Sequence, residues 1–175
     1  GMYVDGRFGN DTMPISTEYS EHTNNMINTY ATGVVHSDKV LEDLLEEIEA
    51  LDEPTLVVFF GDHLPYLENA YNEAGFVDKD GNYDLEDQLK LKETPIAVWN
   101  NYGKDIENIG SISTSFLAPY IVEWAELKMP TYYKFLQNFR ENMPSYTSIV
   151  KSDADGVLYS ETPEHLLELE QQYRI

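Results

Sequence analysis

The chain has 175 residues, 42% of them apolar and 13% aromatic, which is long and apolar enough to bury a core. Its 32 acidic residues against 11 Lys and Arg give a formal net charge of -21, which argues against unaided binding to nucleic acid or anionic lipid. The absence of cysteine excludes disulfides, thiolate metal sites and cysteine nucleophiles.

The sequence shows no segment that would span a membrane. No apolar run approaches the roughly 18 to 20 residues of a membrane helix, and no signal peptide is recognisable. We therefore expect this segment to be soluble and not to insert into a membrane directly.

A long helix is predicted from about Glu18, after an irregular stretch over residues 1–16. Its apolar residues recur at three- and four-residue steps. They are Met26, Ile27, Tyr30, Val34, Leu41, Leu44, Leu45 and Ile48. Pro54 ends the helix, and the uninterrupted apolar run 55–60 predicts a strand buried on both faces, as in a parallel sheet covered by helices. This order of elements indicates the α/β class.

The middle of the chain is predicted to hold a short helix, a polar turn and a second strand. The helix is placed over 67–74, the turn at Asp80-Gly81 and the second buried strand over about 96–99. Two strands are too few for a sheet that covers itself, so we expect the chain to be part of a larger fold.

The last third is predicted to be mainly helical. One helix begins at about Ser115 and ends before Pro130, and an amphipathic helix follows over 131–144. The tail is predicted to form a hairpin around Asp155-Gly156 and then a helix after Pro163.

Asp62 and His63 follow Gly61 at the carboxyl end of the first strand, where ligand sites concentrate in open α/β sheets. A carboxylate and an imidazole are a partial ligand set for Mn²⁺ or Zn²⁺. Neighbouring strand residues point to opposite faces, so a shared ion requires a backbone turn, which Gly61 and Pro65 favour. The alternative is a structural strand end, in which Asp62 caps the next helix and His63 packs locally. The residues alone leave these two interpretations about equal.

Other polar groups are weaker candidates. His36 lies inside the long helix and is expected to pack or cap locally, and His22 and His165 receive no role. The acids of 78–87 suggest a calcium loop, but the glycine is at the fourth position where an EF-hand needs it at the sixth. A polar turn is therefore favoured there, and also at 153–156.

Three sequence blocks occur in the order typical of one family: YATGVVHSDKVLEDLLEEIEALDEPTLVVFFGDHLP, TPIAVWNNYG and SISTSFLAPYIVEWAEL. They resemble lipoteichoic acid synthase-like proteins, the sulfatase branch of the alkaline phosphatase superfamily. The resemblance covers about residues 3–144, is weaker in the tail, and is most specific at Gly-Asp-His. It implies an α/β fold in which 1–144 are the C-terminal portion of a sulfatase-like catalytic domain, with few strands of its own and flanking helices. Residues 145–175 would be a small extension of the same domain.

The same resemblance implies a role for Asp62 and His63 as ligands of a divalent active-site metal, usually Mn²⁺. The family's Thr nucleophile and its Glu ligand lie upstream and have no counterpart in this sequence, so no catalytic residue is assigned. The chain would be the C-terminal part of an extracytoplasmic, metal-dependent phosphoryl or sulfuryl ester transferase or hydrolase, inactive alone. Its partner would be the missing N-terminal half of its own catalytic domain.

A second hypothesis belongs to another functional class. The chain would be a non-catalytic fragment or interaction module that pairs with another chain, or with another copy through an exposed sheet edge. The sequence leaves the substrate of the first hypothesis open among phosphoglycerol, another phospho-alcohol and a sulfate ester.

Overall fold

The computed structural model of the chain describes residues 8, 13–67, 69–78 and 80–174. The chain divides into two compact units. Unit 1 comprises Gly1–Pro54 and His63–Tyr83, and unit 2 comprises Thr55–Asp62 and Asp84–Ile175. The boundary between the units therefore falls between Asp62 and His63.

Unit 1 is built on the predicted long helix, α1, which spans Glu21–Glu49. The Ser20 side chain caps it by accepting a hydrogen bond from the backbone N–H of Thr23. A short helix, α2, spans Ala70–Glu73, within the predicted 67–74. Both helices are thus confirmed, the second over fewer residues than predicted.

The buried face of α1 is confined to its first half. Its buried residues are Thr23, Met26, Thr29 and Thr32. Met26 packs with Leu67 and Ala70, which joins the start of α1 to the region of α2. In the second half of α1, Val34, Val35, Val40 and Leu44 are exposed.

Hydrogen bonds hold the stretch before α1 against the helix. The backbone N–H of Met13 donates to Thr32 Oγ1 and that of Ile15 to Asn28 Oδ1, both at 2.8 Å. Residues 13–16 form neither helix nor strand, as predicted, while most of the predicted irregular stretch 1–16 lies outside the described residues.

Unit 2 contains the strands and the remaining helices. In chain order they are β1 Leu56–Phe60, α3 Leu85–Lys90, β2 Ile96–Asn100, α4 Leu117–Trp124, α5 Thr131–Asn142, β3 Lys151–Ser152, β4 Leu158–Tyr159 and α6 Leu167–Tyr173. Short 3₁₀ turns, Thr114–Phe116 and Glu164–Leu166, lead into α4 and α6. All the predicted strands and helices of this unit are found, and α3 was not predicted.

The pairing of the two main strands differs from the prediction. β1 and β2 are antiparallel, with Leu56 opposite Asn100 and Phe60 opposite Ile96. The expectation of a strand buried on both faces of a parallel sheet is wrong for the described residues, since Phe59 is 48% exposed and Phe60 45%. The two apolar runs pair with each other, and each has one neighbour among the described strands.

The core of unit 2 joins α5 to the tail. Phe139 is fully buried, and its ring lies 5.6 Å from that of Phe116, 5.3 Å from that of Tyr146 and 4.8 Å from that of Tyr173, measured between centroids. β3 and β4 form the predicted hairpin, with Gly156 at a φ of +80° in its turn.

The predicted fold class is confirmed: the residues that the structure describes combine helices with two small sheets and form few strands. The proposed division at residues 144 and 145 stays a prediction. None of the helices that the described residues form is both long enough and apolar enough to cross a bilayer.

Candidate metal-binding site

The end of β1 is fixed against the segment that precedes β2. The backbone N–H of Gly61 donates to the carbonyl of Pro95 at 3.1 Å, and Thr94 Oγ1 donates to the carbonyl of Gly61 at 2.7 Å. A Cβ at position 61 would lie 2.9 Å from the Cβ of Thr94, closer than side chains pack. Glycine is therefore required at this position by the close approach of Thr94.

Asp62 and His63 both have exposed side chains, immediately after this anchored glycine. The Nδ1 atom of His63 lies 2.9 Å from the carbonyl oxygen of Leu64. A carbonyl oxygen only accepts, so Nδ1 carries the proton in this hydrogen bond. In the neutral ring the lone pair then lies on Nε2, which is the form in which an imidazole binds a metal.

In unit 1, the segment after His63 is held by Tyr71. The hydroxyl of Tyr71 donates to the carbonyl oxygen of Pro65 at 2.6 Å. Leu67, 8% exposed, packs into the small core of Met26 and Ala70. The sequence on both sides of Asp62-His63 is thus fixed by contacts within its own unit.

Among the described residues, no group of three or more His, Asp and Glu side chains is arranged to hold a metal ion. One carboxylate and one imidazole are a chemically suitable but incomplete set. Zn²⁺ sites use three or four protein ligands, and octahedral Mn²⁺ takes about six ligands in all, waters included. The assignment of Asp62 and His63 as ligands therefore stays a prediction.

Two of the acids of 78–87, Asp78 and Asp84, have local roles in the structure. Asp78 Oδ1 accepts hydrogen bonds from the backbone N–H groups of Asp80 and Asn82, both at 2.8 Å. Asp84 caps α3 by accepting from the backbone N–H of Asp87. The hydrogen bonds that Asp78 accepts hold its pKa below the usual value, and the bond from the N–H of Asn82 has the largest effect. The bonds to Asp78 are those of a polar turn, and the bond to Asp84 is that of a helix cap.

The polar turn at 153–156 is held by the same kind of hydrogen bonds as the turn at 78–82. Asp153 Oδ1 accepts from the backbone N–H groups of Asp155 and Val157, and its Oδ2 accepts from the hydroxyl of Tyr159 at 2.7 Å. Among the other histidines, His36 lies edge-on against the ring of Phe8 at 5.1 Å, a packing contact of the kind expected from its place in the helix.

One feature of unit 2 was not predicted from the sequence. A cavity is lined by residues from separate stretches of the chain, among them Lys92, Lys151 and Arg174. Their positions share no spacing that a motif would have, so only their basic character in an acidic chain could have drawn attention to them.

Comparison with known proteins decides the family. The sulfatase family profile matches residues 5–127, which include β1, Asp62, His63 and β2. The chain belongs to the sulfatase family. This confirms the family resemblance drawn from the three sequence blocks.

Two proteins of known name are similar to this sulfatase-family chain. A protein of Rhizobium meliloti (strain 1021) named "Putative cyclic beta-1,2-glucan modification protein" is 34% identical over 142 residues, covering 78% of this chain and 22% of that protein. The solved structure of Streptococcus pyogenes phosphoglycerol transferase GacH in complex with sn-glycerol-1-phosphate superposes with a TM-score of 0.61 at 21% identity. The superposition covers 89% of this chain and 35% of that one, and it shows a shared fold. The chain therefore spans about a fifth and about a third of the lengths of these two proteins.

Proposed function

We propose that this chain is the C-terminal part of the catalytic domain of a metal-dependent enzyme that transfers or hydrolyses phosphoryl or sulfuryl esters. The observation that carries the proposal is the position of Asp62 and His63. They follow a strand end fixed by Gly61 and Thr94, within the stretch that matches the sulfatase family.

The proposed role of these two residues is to bind a divalent cation, with Mn²⁺ the first candidate. Asp62 would supply a carboxylate oxygen, and His63 would supply Nε2, because its Nδ1 donates to the carbonyl of Leu64. A bound divalent cation would offset negative charge on the transferring group. The rigid anchoring of Gly61 supports the proposal, since ligands held by a fixed backbone lose less entropy on binding.

The remaining ligands and the nucleophile are proposed to come from the N-terminal part of the same catalytic domain. Two observations support this. The matched relatives are much longer than the regions they share with this chain, which cover 22% and 35% of them. In addition, Phe59, Phe60 and Ile96 of the small β1–β2 sheet are 48%, 45% and 36% exposed, an apolar surface that further strands of the domain would cover.

The phosphoryl version of the chemistry is favoured over the sulfuryl version by the name of one neighbour. The structurally similar GacH is a phosphoglycerol transferase solved with sn-glycerol-1-phosphate. The Rhizobium relative's name refers to modification of a glucan. We accordingly propose transfer of a phospho-alcohol to a saccharide acceptor on the extracytoplasmic side of a membrane.

A graft experiment tests this proposal. The matched segment of the Rhizobium relative is replaced by that of this chain, and hydrolysis of p-nitrophenyl phosphate and p-nitrophenyl sulfate is measured with Mn²⁺. We expect turnover that falls more than about 100-fold in Asp62→Asn and in His63→Gln. The matched control Asp80→Asn, in the polar turn, should keep it.

Two results would contradict the proposal. One is turnover of a folded graft that is unchanged by Asp62→Asn. The other is a folded graft that turns over neither ester, which would favour the alternative of a non-catalytic interaction module. The 175-residue chain assayed alone should be inactive, because the proposal assigns it no nucleophile.

A further inference from the structure

Unit 2 contains a cavity of about 860 Å³, in the size range of small-molecule sites. Its walls come from the end of β1, the stretch between α3 and β2, residues 110–115 before α4, residues 145–148, β3 and the end of α6. Neither Asp62 nor His63 lines it, so an inference about its ligand does not rest on the proposed metal site.

The charge of the lining is opposite to that of the chain. Overall there are 32 acidic residues against 11 Lys and Arg. The lining contains three basic residues, Lys92, Lys151 and Arg174, and one acidic residue, Glu93. A concave site with low-dielectric walls concentrates the field of its charged groups, so this cavity favours anions on a protein whose surface otherwise repels them.

Lys151 is the most informative of these residues, because it is 7% exposed. Its Nζ donates to the carbonyl oxygen of Ser160 at 3.3 Å and lies 5.9 Å from the centre of the Tyr146 ring. It forms no salt bridge with any carboxylate of the described residues. A buried cation without a counter-ion is costly, and an anion in the cavity would offset that cost.

The other two basic residues, Arg174 and Lys92, differ in whether they form an ion pair with a carboxylate. Arg174 Nη2 lies 2.8 Å from Glu170 Oε1, so its charge is already compensated in part. Lys92 is exposed and forms no salt bridge within the described part of the chain. Lys92 and Lys151 are therefore the two cations available to a ligand.

Hydroxyl groups complete the polar part of the wall. The side chains of Ser111, Thr114, Ser115 and Ser148 line the cavity, and their hydroxyls make no hydrogen bond with the residues that the structure describes. By contrast, Ser113 Oγ accepts from the backbone N–H of Tyr146 at 2.6 Å, which fixes two walls to each other. Hydroxyl donors beside ammonium groups suit the oxygens of phosphate and sulfate.

From these contacts we infer that the cavity binds a tetrahedral oxyanion, phosphate or sulfate, either free or as an ester. The anion oxygens contact the ammonium groups of Lys92 and Lys151 and the four lining hydroxyls.

The test is a titration of the ¹⁵N-labelled 175-residue chain, without divalent metal and at constant ionic strength. The probes are inorganic phosphate, inorganic sulfate and methyl phosphate, with glycerol as the uncharged control. We expect saturable amide shifts at Lys92, residues 111–115 and Lys151 with the anions and none with glycerol. A lower Kd for methyl phosphate than for inorganic phosphate would identify the ligand as an ester, and the reverse would identify it as the free anion.

Variants distinguish this site from general ion binding. Lys151→Met and Lys92→Gln should each raise the Kd about tenfold, as expected for losing one charged hydrogen bond. Lys90→Gln, on α3 beside the cavity but outside its lining, should leave it unchanged. The inference is overturned if the shifts do not saturate, or if Lys92→Gln and Lys90→Gln have the same effect. Because Lys92 is exposed, its variant remains decisive even if Lys151→Met does not fold.

Discussion

Gly61 and Thr94 are in such close contact that a side chain at position 61 would have to displace Thr94. Thr94 Oγ1 donates to the Gly61 carbonyl at 2.7 Å, and a Cβ on Gly61 would be 2.9 Å from the Cβ of Thr94 and 3.3 Å from its Cγ2. This contact fixes the strand end from which Asp62 follows. The predicted metal ligand Asp62 therefore follows a backbone position that is held by a hydrogen bond and by close packing.

Gly61→Ala is expected to destabilise the protein by about 1–3 kcal/mol, the usual cost of overpacking. The measurement is the free energy of unfolding in urea. Gly33→Ala is the matched control, because its added Cβ would be 3.8 Å from the ring of Phe8, an ordinary contact, and lies inside a helix. The control should be as stable as the wild type or slightly more so. Equal stability of Gly61→Ala and wild type would refute the steric argument.

Glu73 connects α2 to the start of α1 in a way that should depend on pH. Its carboxylate accepts hydrogen bonds from the backbone N–H and hydroxyl of Ser20, at 2.7 and 2.9 Å, and from the hydroxyl of Thr23 at 2.8 Å. The bond from the Ser20 backbone, followed by that from Thr23, holds the pKa of Glu73 below its usual 4.5. A lowered carboxyl pKa stabilises the folded state above the unfolded pKa, and the effect is lost as pH falls through the folded pKa.

Glu73→Gln should therefore lower the melting temperature at about pH 7, and the difference from wild type should vanish once the pH falls below the pKa of Glu73. Thermal melts over a pH series measure both. Glu46→Gln changes an exposed glutamate of α1, the helix that Ser20 caps. It is the control and should show little difference at any pH. A Glu73→Gln difference that persists at low pH would show that charge is not its cause.

The core of unit 2 depends on Phe139, which is fully buried among the rings of Phe116, Tyr146 and Tyr173. Phe139→Ala should lower the free energy of unfolding by about 3–5 kcal/mol, the cost of lost burial plus a cavity. Asn138→Ala, at the exposed neighbouring position of α5, should change it by about 0.5 kcal/mol or less. Similar effects of the two changes in urea unfolding would contradict this description of the core.

The existence of the elements could be predicted, but the strand pairing could not. Residues 55–60 and 96–99 are uninterrupted apolar runs, and strands occupy Leu56–Phe60 and Ile96–Asn100. Such a run indicates a strand but does not determine the direction of its neighbour, which depends on tertiary contacts. The expectation of a parallel sheet came from the lack of alternation in the run 55–60, and an uninterrupted apolar run does not exclude an antiparallel pair.

The missed helix α3 shows a different limit. Leu85–Lys90 is six residues long and has two apolar positions, too few for a periodic pattern. It is held by local polar contacts, namely the cap from Asp84 and the ion pair between Glu86 and Lys90 at 3.0 Å. Only a polar turn over 78–87 is predicted there, which overlaps the first three residues of α3.

The two candidate sites also differ in whether the sequence alone could indicate them. Asp62 and His63 could be found from the sequence because they are adjacent and follow a strand. The oxyanion cavity could not, because its residues come together only when β1, β3 and the segment before α4 are folded. A site built from one short motif can be recognised in the sequence, whereas a site built from residues far apart in the chain cannot.

The assignment of Asp62 and His63 as metal ligands is tested by a Mn²⁺ titration of the ¹⁵N-labelled graft, which supplies the ligands that the 175-residue chain lacks. The paramagnetic ion broadens amide signals near its binding site. We expect signals of residues 61–64 to broaden at the lowest Mn²⁺ concentrations. Asp62→Asn and His63→Gln should each abolish this early broadening, while Asp80→Asn should not. Early broadening confined to the acidic turns of α1, such as Glu46 and Glu47, with residues 61–64 unaffected, would contradict the assignment of Asp62 and His63 as metal ligands.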